Sequence, residues 1–264
     1  MSQTIKFITA VLFSLVPLAL TATGTDRSMS SLPPSHLPPD HQSSYTVNAY
    51  GAHVGELHNH LETQNTQISY TSEITATGLA SMFVGKKAAE FSILSIAPDQ
   101  HSKYPLQKSY RLNRGKGHKK NQNMTFTRDQ QGNFEINGQY RKKTYSLKSQ
   151  SPLWSRHVIP LLISSDLLLK NDTTGGTFKI TDKGNISDYN YTLKKTETIK
   201  FNEKSFPVLK FMIQKPGSSR MSYVWLSKAH YYLPLKIEQY KKGELTGSIQ
   251  IKNISFTHRA PEND

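Results

Sequence analysis

Residues 220–251, RMSYVWLSKAHYYLPLKIEQYKKGELTGSIQI, decide the fold. Met221, Tyr223 and Trp225 alternate with Ser222, Val224 and Leu226, the period of two expected of a strand whose larger side chains share one face. The alternation breaks over residues 228–232. It resumes with Leu235 and Ile237 and, past the Lys242-Gly243 turn signal, with Leu245, Ile249 and Ile251. This is an antiparallel meander with one wet face, which strands earlier in the chain can extend. It holds no group that performs chemistry.

Working outward, the same pattern recurs through most of the chain. Residues 45–50 and 56–62 form a hairpin around the 51–55 turn, and 67–77 continues it; 89–96, 106–114 and 123–128 add strands. Gln131-Gly132 and Asn137-Gly138 bracket a short segment, and 140–147 follows it. Further on, 177–181, 188–195, 197–201 and 208–214 lead into the opening stretch. The apolar positions move from odd (Ile249, Ile251) to even (Ile254, Phe256), which predicts a bulge near Asn253. One helix interrupts the strands, over 151–169. Ser151 would cap it, Pro152 would occupy its first turn, and Pro160 would kink it. The expected fold is mainly β: a single strongly curved antiparallel sheet, an open or incomplete barrel, with this helical segment on its concave face.

Residues 1–24 carry Lys6, an apolar run over 7–20 and the small-residue ending Ala22-Thr23-Gly24, the pattern of a signal peptide cleaved near Gly24. The run is shorter than the roughly 20 residues that cross a bilayer, so the mature chain is expected to have no integral membrane span and to lie in the periplasm. Residues 25–43, with Pro33-Pro34 and Pro38-Pro39, read as a linker, 44–257 as one β-rich domain and 258–264 as a disordered tail. The run Gly78-Leu79-Ala80-Ser81-Met82-Phe83-Val84-Gly85 reads either as a buried connection or as an exposed loop that meets a lipid or partner.

The 264 residues carry a formal net charge of +14 and no cysteine. No disulfide, thiolate metal site or cysteine nucleophile is possible. Between Lys86 and Lys148, fourteen Lys/Arg stand against four Asp/Glu. Lys86, Lys87, Arg114, Lys116, Lys119 and Lys120 are the candidate anion-binding set, competing with a plain solvated basic face. Export excludes nucleic acid as a partner. The sequence 115–120, GKGHKK, lacks the spacing of a phosphate-binding P-loop. There is no Gly-x-Ser-x-Gly elbow and no paired carboxylate, so no catalytic residue and no cofactor is assigned. His58 and His60, two apart on a strand, supply half of a metal site, but no second cluster matches them. His157 and the remaining histidines read as ordinary surface or turn residues.

The order of several short motifs carries a resemblance. Tyr45-Thr46-Val47 precedes Gly51 and Val54-Gly55-Glu56; Tyr70 precedes Thr77-Gly78-Leu79-Ala80; Pro105-Leu106 precedes Tyr110-Arg111; Val224-Trp225-Leu226 precedes Leu233-Pro234-Leu235-Lys236-Ile237-Glu238. In this order they resemble DUF3108, a bacterial family of exported β-rich proteins. Where the family carries an Asp-x-x-Ser-like pattern before its helix, this chain reads Ser151-Pro152-Leu153-Trp154-Ser155. The resemblance implies an architecture similar to the curved sheets that carry lipids or lipoproteins in the bacterial envelope; a fold does not fix a function. On that basis Trp154, Tyr189, Tyr191, Tyr223 and Trp225 are expected to line an apolar groove for a lipid or lipid-bearing partner. The rival expectation is a scaffold that binds an envelope protein through a bare sheet edge or the basic surface. An internal cavity favours the first, and a filled core favours the second. An enzyme ranks last.

Overall fold

The computed structural model describes residues 36–78, 81, 87–96, 102–114, 118–170 and 174–257. The signal-like segment, the tail and nearly all of the 78–85 run lie outside them. The strands are β1 (His41–Ala49), β2 (Ala52–Gln64), β3 (Gln67–Ala76), β4 (Lys87–Ser95), β5 (Leu106–Asn113), β6 (Gln122–Arg128), β7 (Phe134–Tyr140) and β8 (Lys143–Ser149). After them come β9 (Trp154–Ser155), a 3-10 turn (Arg156–Val158), α1 (Ile159–Lys170), β10 (Gly175–Asp182), β11 (Asn185–Phe201), β12 (Lys204–Gln214), β13 (Arg220–Ser227), β14 (Leu233–Lys241) and β15 (Glu244–Phe256).

All fifteen strands join one open sheet, in the order β8-β7-β6-β5-β4-β3-β2-β1-β15-β14-β13-β12-β11-β10-β9. Apart from the parallel pair β9/β10, every neighbour is antiparallel. So many right-twisted strands cannot stay flat, and the sheet curls until its two halves approach. The 220–251 meander is β13, β14 and most of β15, and pairing of β1 with β15 joins the two halves of the chain. A row of apolar residues, Val47, Ile249, Ile237, Val224, Phe211 and Leu193, runs straight across six strands of the inner face. Against it packs α1, where Leu161, Leu162, Ile163, Ser164, Ser165, Asp166 and Leu167 are all buried. Seven consecutive buried residues cover every direction of a 3.6-residue turn, so the helix fills the interior instead of lying on a face. Its Ser164 hydroxyl bonds the Tyr232 carbonyl at 2.7 Å, which ties it to the start of β14.

Several local expectations change. Pairing starts at His41, inside the stretch read as linker, and Leu37 just ahead of it is buried in the core. The helix begins at Ile159, well after Ser151; Trp154-Ser155 is strand instead. Pro160 therefore falls in the first turn, where its missing N–H costs nothing, so it needs no kink. Asn137-Gly138 is no turn but the middle of β7. A Cβ on Gly138 would come within 2.5 Å of the Tyr145 ring, so the glycine is there to seat an aromatic from β8. The two strands read over 188–201 are one, β11, whose pairing slips at Lys194. The bulge near Asn253 is present: Ser44 faces Asn253 while Tyr45 faces Ile251, leaving Lys252 as the extra residue.

Candidate functional site

A network of polar side chains lies inside the curl. His157 Nε2 lies 2.8 Å from Ser72 Oγ, and its Nδ1 lies 2.8 Å from Ser92 Oγ. Ser72 donates its only proton to Asn59 Oδ1 at 2.7 Å, so it must accept from His157 Nε2–H. Nδ1 is then the acceptor and Ser92 its donor, while Ser92 accepts from Gln107 Nε2 at 3.0 Å. Gln107 also takes the Ser155 backbone N–H on its Oε1 at 2.6 Å. The ring stacks on Tyr70 at 4.6 Å. Burial pushes the imidazole down to about 3, so it stays neutral and fixed in one tautomer. Among the described residues two serines face a histidine as a nucleophile faces its base, Ser92 with His157 and Ser227 with His230 at 2.9 Å, and both serines are enclosed, at 1% and 0% exposed. The chain of bonds anchors the lead-in of α1 to β2, β3, β4 and β5. His157 is thus no surface residue, and no periodicity or spacing in the sequence revealed it.

A second buried polar group, Asp166 on α1, is fully enclosed. Its oxygens accept from Tyr104 OH, from Tyr191 OH at 2.5 Å and from Lys170 Nζ at 2.8 Å, and Lys103 lies 3.6 Å away. Burial alone would raise the carboxyl; the Lys170, Tyr104 and Tyr191 bonds outweigh it and hold the group below its usual range. With three hydrogen bonds and a second ammonium beside it, it is a structural anion.

The five aromatics expected in one groove divide between two faces of the sheet. Trp154 donates to the Pro105 carbonyl at 2.8 Å and meets Phe178 edge-on; Tyr191 stacks on Phe178 and tilts against Phe211, and Tyr189 packs on the same inner cluster. Val224 and Leu226 point inward to that cluster, so Tyr223 and Trp225, which alternate with them, face out. There Lys210 and Lys236 lie over the Trp225 ring at 4.5 and 4.7 Å, and its indole N–H bonds Glu197 at 2.6 Å. The lysine stems cover it, and it is 3% exposed.

Of the anion set, Lys86 and Lys116 lie outside the described residues. Lys87 opens β4 and is exposed, and Lys119 and Lys120 sit on the β5–β6 turn. Arg114 is buried, not offered to solvent, and burial pulls its pKa down. Near these residues stand three cations outside that set: Arg141 and Lys142 on the β7–β8 turn, expected only as positive charge beside a sheet edge, and Lys183 on the β10–β11 turn. The signal available for the first two was the run Arg141-Lys142-Lys143 itself.

His58 and His60 share an open polar depression of about 550 Å³ on the outer face, with Gln42, Thr71, Glu73 and Phe91 among its lining residues. Among the described residues no three His, Asp or Glu side chains converge as a metal site would need.

The two ends of the sheet differ. At one, β9 is only two residues long, and Gln107 of β5 reaches across the seam to Ser155, so that edge is closed by side chains. At the other, β8 pairs, among the described residues, with β7 alone. Tyr140 and Lys143 flank a two-residue turn and form a hydrogen-bonded pair, so the non-bonded positions of the ladder are Thr144, Ser146 and Lys148. Their backbone N–H and C=O groups face away from β7. Their side chains are exposed, while Tyr145 and Leu147 pack inward on the cluster around Ile136 and Leu153.

The fold and these sites define an open, curled antiparallel sheet closed around one buried helix. The chain belongs to the family DUF3108, proteins of unknown function, whose model matches residues 44–250. A search of curated proteins found no match. Among solved structures it is similar to a candidate lipoprotein from Parabacteroides distasonis, at 14% identity over 83% of this chain and 98% of that one, with a TM-score of 0.32. It is also similar to a candidate exported protein with a YmcC-like fold from Bacteroides fragilis, at 11% identity over 82% and 94%, with a TM-score of 0.30. Among the described residues no helix is long and apolar enough to cross a membrane.

Proposed function

We propose that this protein is an exported, non-enzymatic binding module of the bacterial envelope, which takes an extended, acidic segment of a partner protein along the free edge of β8. The observation that carries the reading is the asymmetry of the sheet: the β9 edge is sealed by Gln107, and the β8 edge presents Thr144, Ser146 and Lys148 with no neighbouring strand among the described residues. An added strand would satisfy those groups. Lysines on an edge also discourage self-association, and Lys143 and Lys148 serve that end. Between them, however, Thr144 to Leu147 carry no charge, and Lys142 and Lys143 have no ion pair among the described residues. Those two cations favour an acidic occupant. The export step rests on the signal-like pattern of residues 1–24. An amphiphile held inside the sheet has less support, because α1 occupies that space.

A photo-crosslinking residue at Thr144, used in cells, tests the edge. The expected result is one discrete adduct that maps to an acidic, extended stretch of an envelope protein and is absent when the probe sits at Thr198 on β11. Ser146→Pro removes an outward N–H without touching the β7 ladder, and should cut the adduct at least about ten-fold. An adduct indifferent to Ser146→Pro, or shared with Thr198, would refute edge pairing.

A further inference from the structure

We propose that three hairpin tips at one end of the sheet form a docking surface for an anionic lipid leaflet, with Lys119, Lys120, Arg141, Lys142 and Lys183 facing the headgroup phosphates. The tips belong to turns far apart in sequence. Register places them together: Leu112 faces Gln122, Gln122 faces Tyr140, and Tyr140 faces Lys143, so the β5–β6 and β7–β8 turns lie side by side. The β10–β11 turn joins them from the other half of the sheet, with Gly184 packed under the Tyr145 ring. Tyr140 is the meeting point: the Arg141 guanidinium lies 5.3 Å and the Lys183 ammonium 5.8 Å from its ring centre.

Two further observations point the same way. A two-residue hairpin turn with both residues at positive φ favours Asn and Gly, yet Arg141 and Lys142 hold φ of 52° and 65°. The same pair of left-handed residues recurs at Asn202-Glu203 between β11 and β12, so the strain comes with the two-residue turn; what sets the β7–β8 turn apart is that both of its residues are cations. The charges also crowd one another. Partial burial lowers the Lys120 pKa, and Arg114, Arg141, Lys119 and Lys183 lower it further. Nearby carboxylates only partly offset this: Asp182 pairs with Lys183 at 2.6 Å and also with Arg156 at 3.7 Å, and Glu90 lies on the inner side beside Arg114 and Arg156.

The shape selects the class of anion. Lys119, Arg141, Lys142 and Lys183 are all exposed and come from three different turns, so they suit a plane of many phosphates better than one soluble anion. The inference goes beyond edge pairing and is independent of it.

Sedimentation of the purified chain with phosphatidylcholine vesicles, with and without phosphatidylglycerol, tests it. Binding should require phosphatidylglycerol. Lys120→Gln, Arg141→Gln and Lys183→Gln should each weaken it about five-fold, and the triple variant about a hundred-fold. Near-ultraviolet circular dichroism should show the triple variant folded, and Ser146→Pro should bind as the parent does, which separates this surface from the β8 edge. Equal binding to phosphatidylcholine alone would overturn the proposal. So would an equal loss on changing Lys194, Lys200 and Lys204 to Gln, since net charge alone would then account for the binding. Displacement from vesicles by inorganic phosphate that depends on the three residues and persists at matched ionic strength would instead make this a soluble-phosphate site.

Discussion

His157 carries one proton between two serines, and that arithmetic makes a sharp statement about single substitutions. His157→Ala strands Ser72 and Ser92 inside the sheet and removes the stack on Tyr70, so it should cost about 3 kcal/mol. Ser92→Ala removes a donor to a neutral acceptor and should cost about 1 kcal/mol. Urea unfolding of both variants checks the order; equal losses would mean that the network is not directional as described. The sequence hid this residue for a physical reason: a histidine two residues after a short edge strand has no periodic signature, and its partners come from β3 and β4, far away in the chain. Asp166 was hidden in the same way, since Ser-Ser-Asp within an apolar helix gives no hint that Tyr104 and Tyr191 will reach it.

Strands were legible where alternation was clean and illegible where a neighbour overruled local chemistry. β3, β5, β6 and the three strands of 220–251 lie close to their expected positions; buried and wetter residues alternate cleanly in β3 and β6, whereas Val224 to Ser227 and Leu233 to Leu235 are buried in unbroken runs. The Asn137-Gly138 turn failed because Tyr145 needed the space that a glycine leaves. The helix failed at its start because the Ser151-Pro152 cap signal is local, whereas Trp154 and Ser155 are committed to Pro105 and Gln107 across the seam. The expected aromatic groove failed for the reason that α1 succeeds: a helix buried all round leaves the inner aromatics as packing. Leu162, fully buried, sits at the middle of that packing. Leu162→Ala should cost about 3 kcal/mol in urea unfolding and open room for a small apolar molecule. The parent protein should bind no fluorescent acyl probe in its interior, and stoichiometric uptake by the parent would restore the carrier reading.

At the scale of the whole molecule, opposed titrations inside one curl shape the pH dependence of stability. Burial raises Glu90 from 4.5 to about 7, with Arg156 and a Tyr110 hydrogen bond opposing it. Folded Glu90 therefore holds a proton that the unfolded chain releases, so its contribution is fully present below 4.5 and is lost as pH rises toward 7. His157 works in the other sense. Its folded value of about 3 lies below the ordinary 6.5, so the unfolded chain takes up the proton first, and stability falls as pH drops from 6.5 toward 3. His41 and His230, also lowered by burial, act in the same direction as His157. Between 4.5 and 6.5 Glu90 offsets at most one of these histidines, so the parent should already lose stability as pH falls through that range, and more steeply once Glu90 is protonated in both states below 4.5. Glu90→Gln removes one side of the balance. The variant should gain on the parent steadily from pH 4.5 to 7, by at most about 3 kcal/mol, and by less because water still reaches the half-buried side chain. Urea midpoints across that range decide it: a constant offset between variant and parent would place the Glu90 proton in solvent, and a widening gap would place it inside the curl, where Arg114, Arg156 and Asp182 meet.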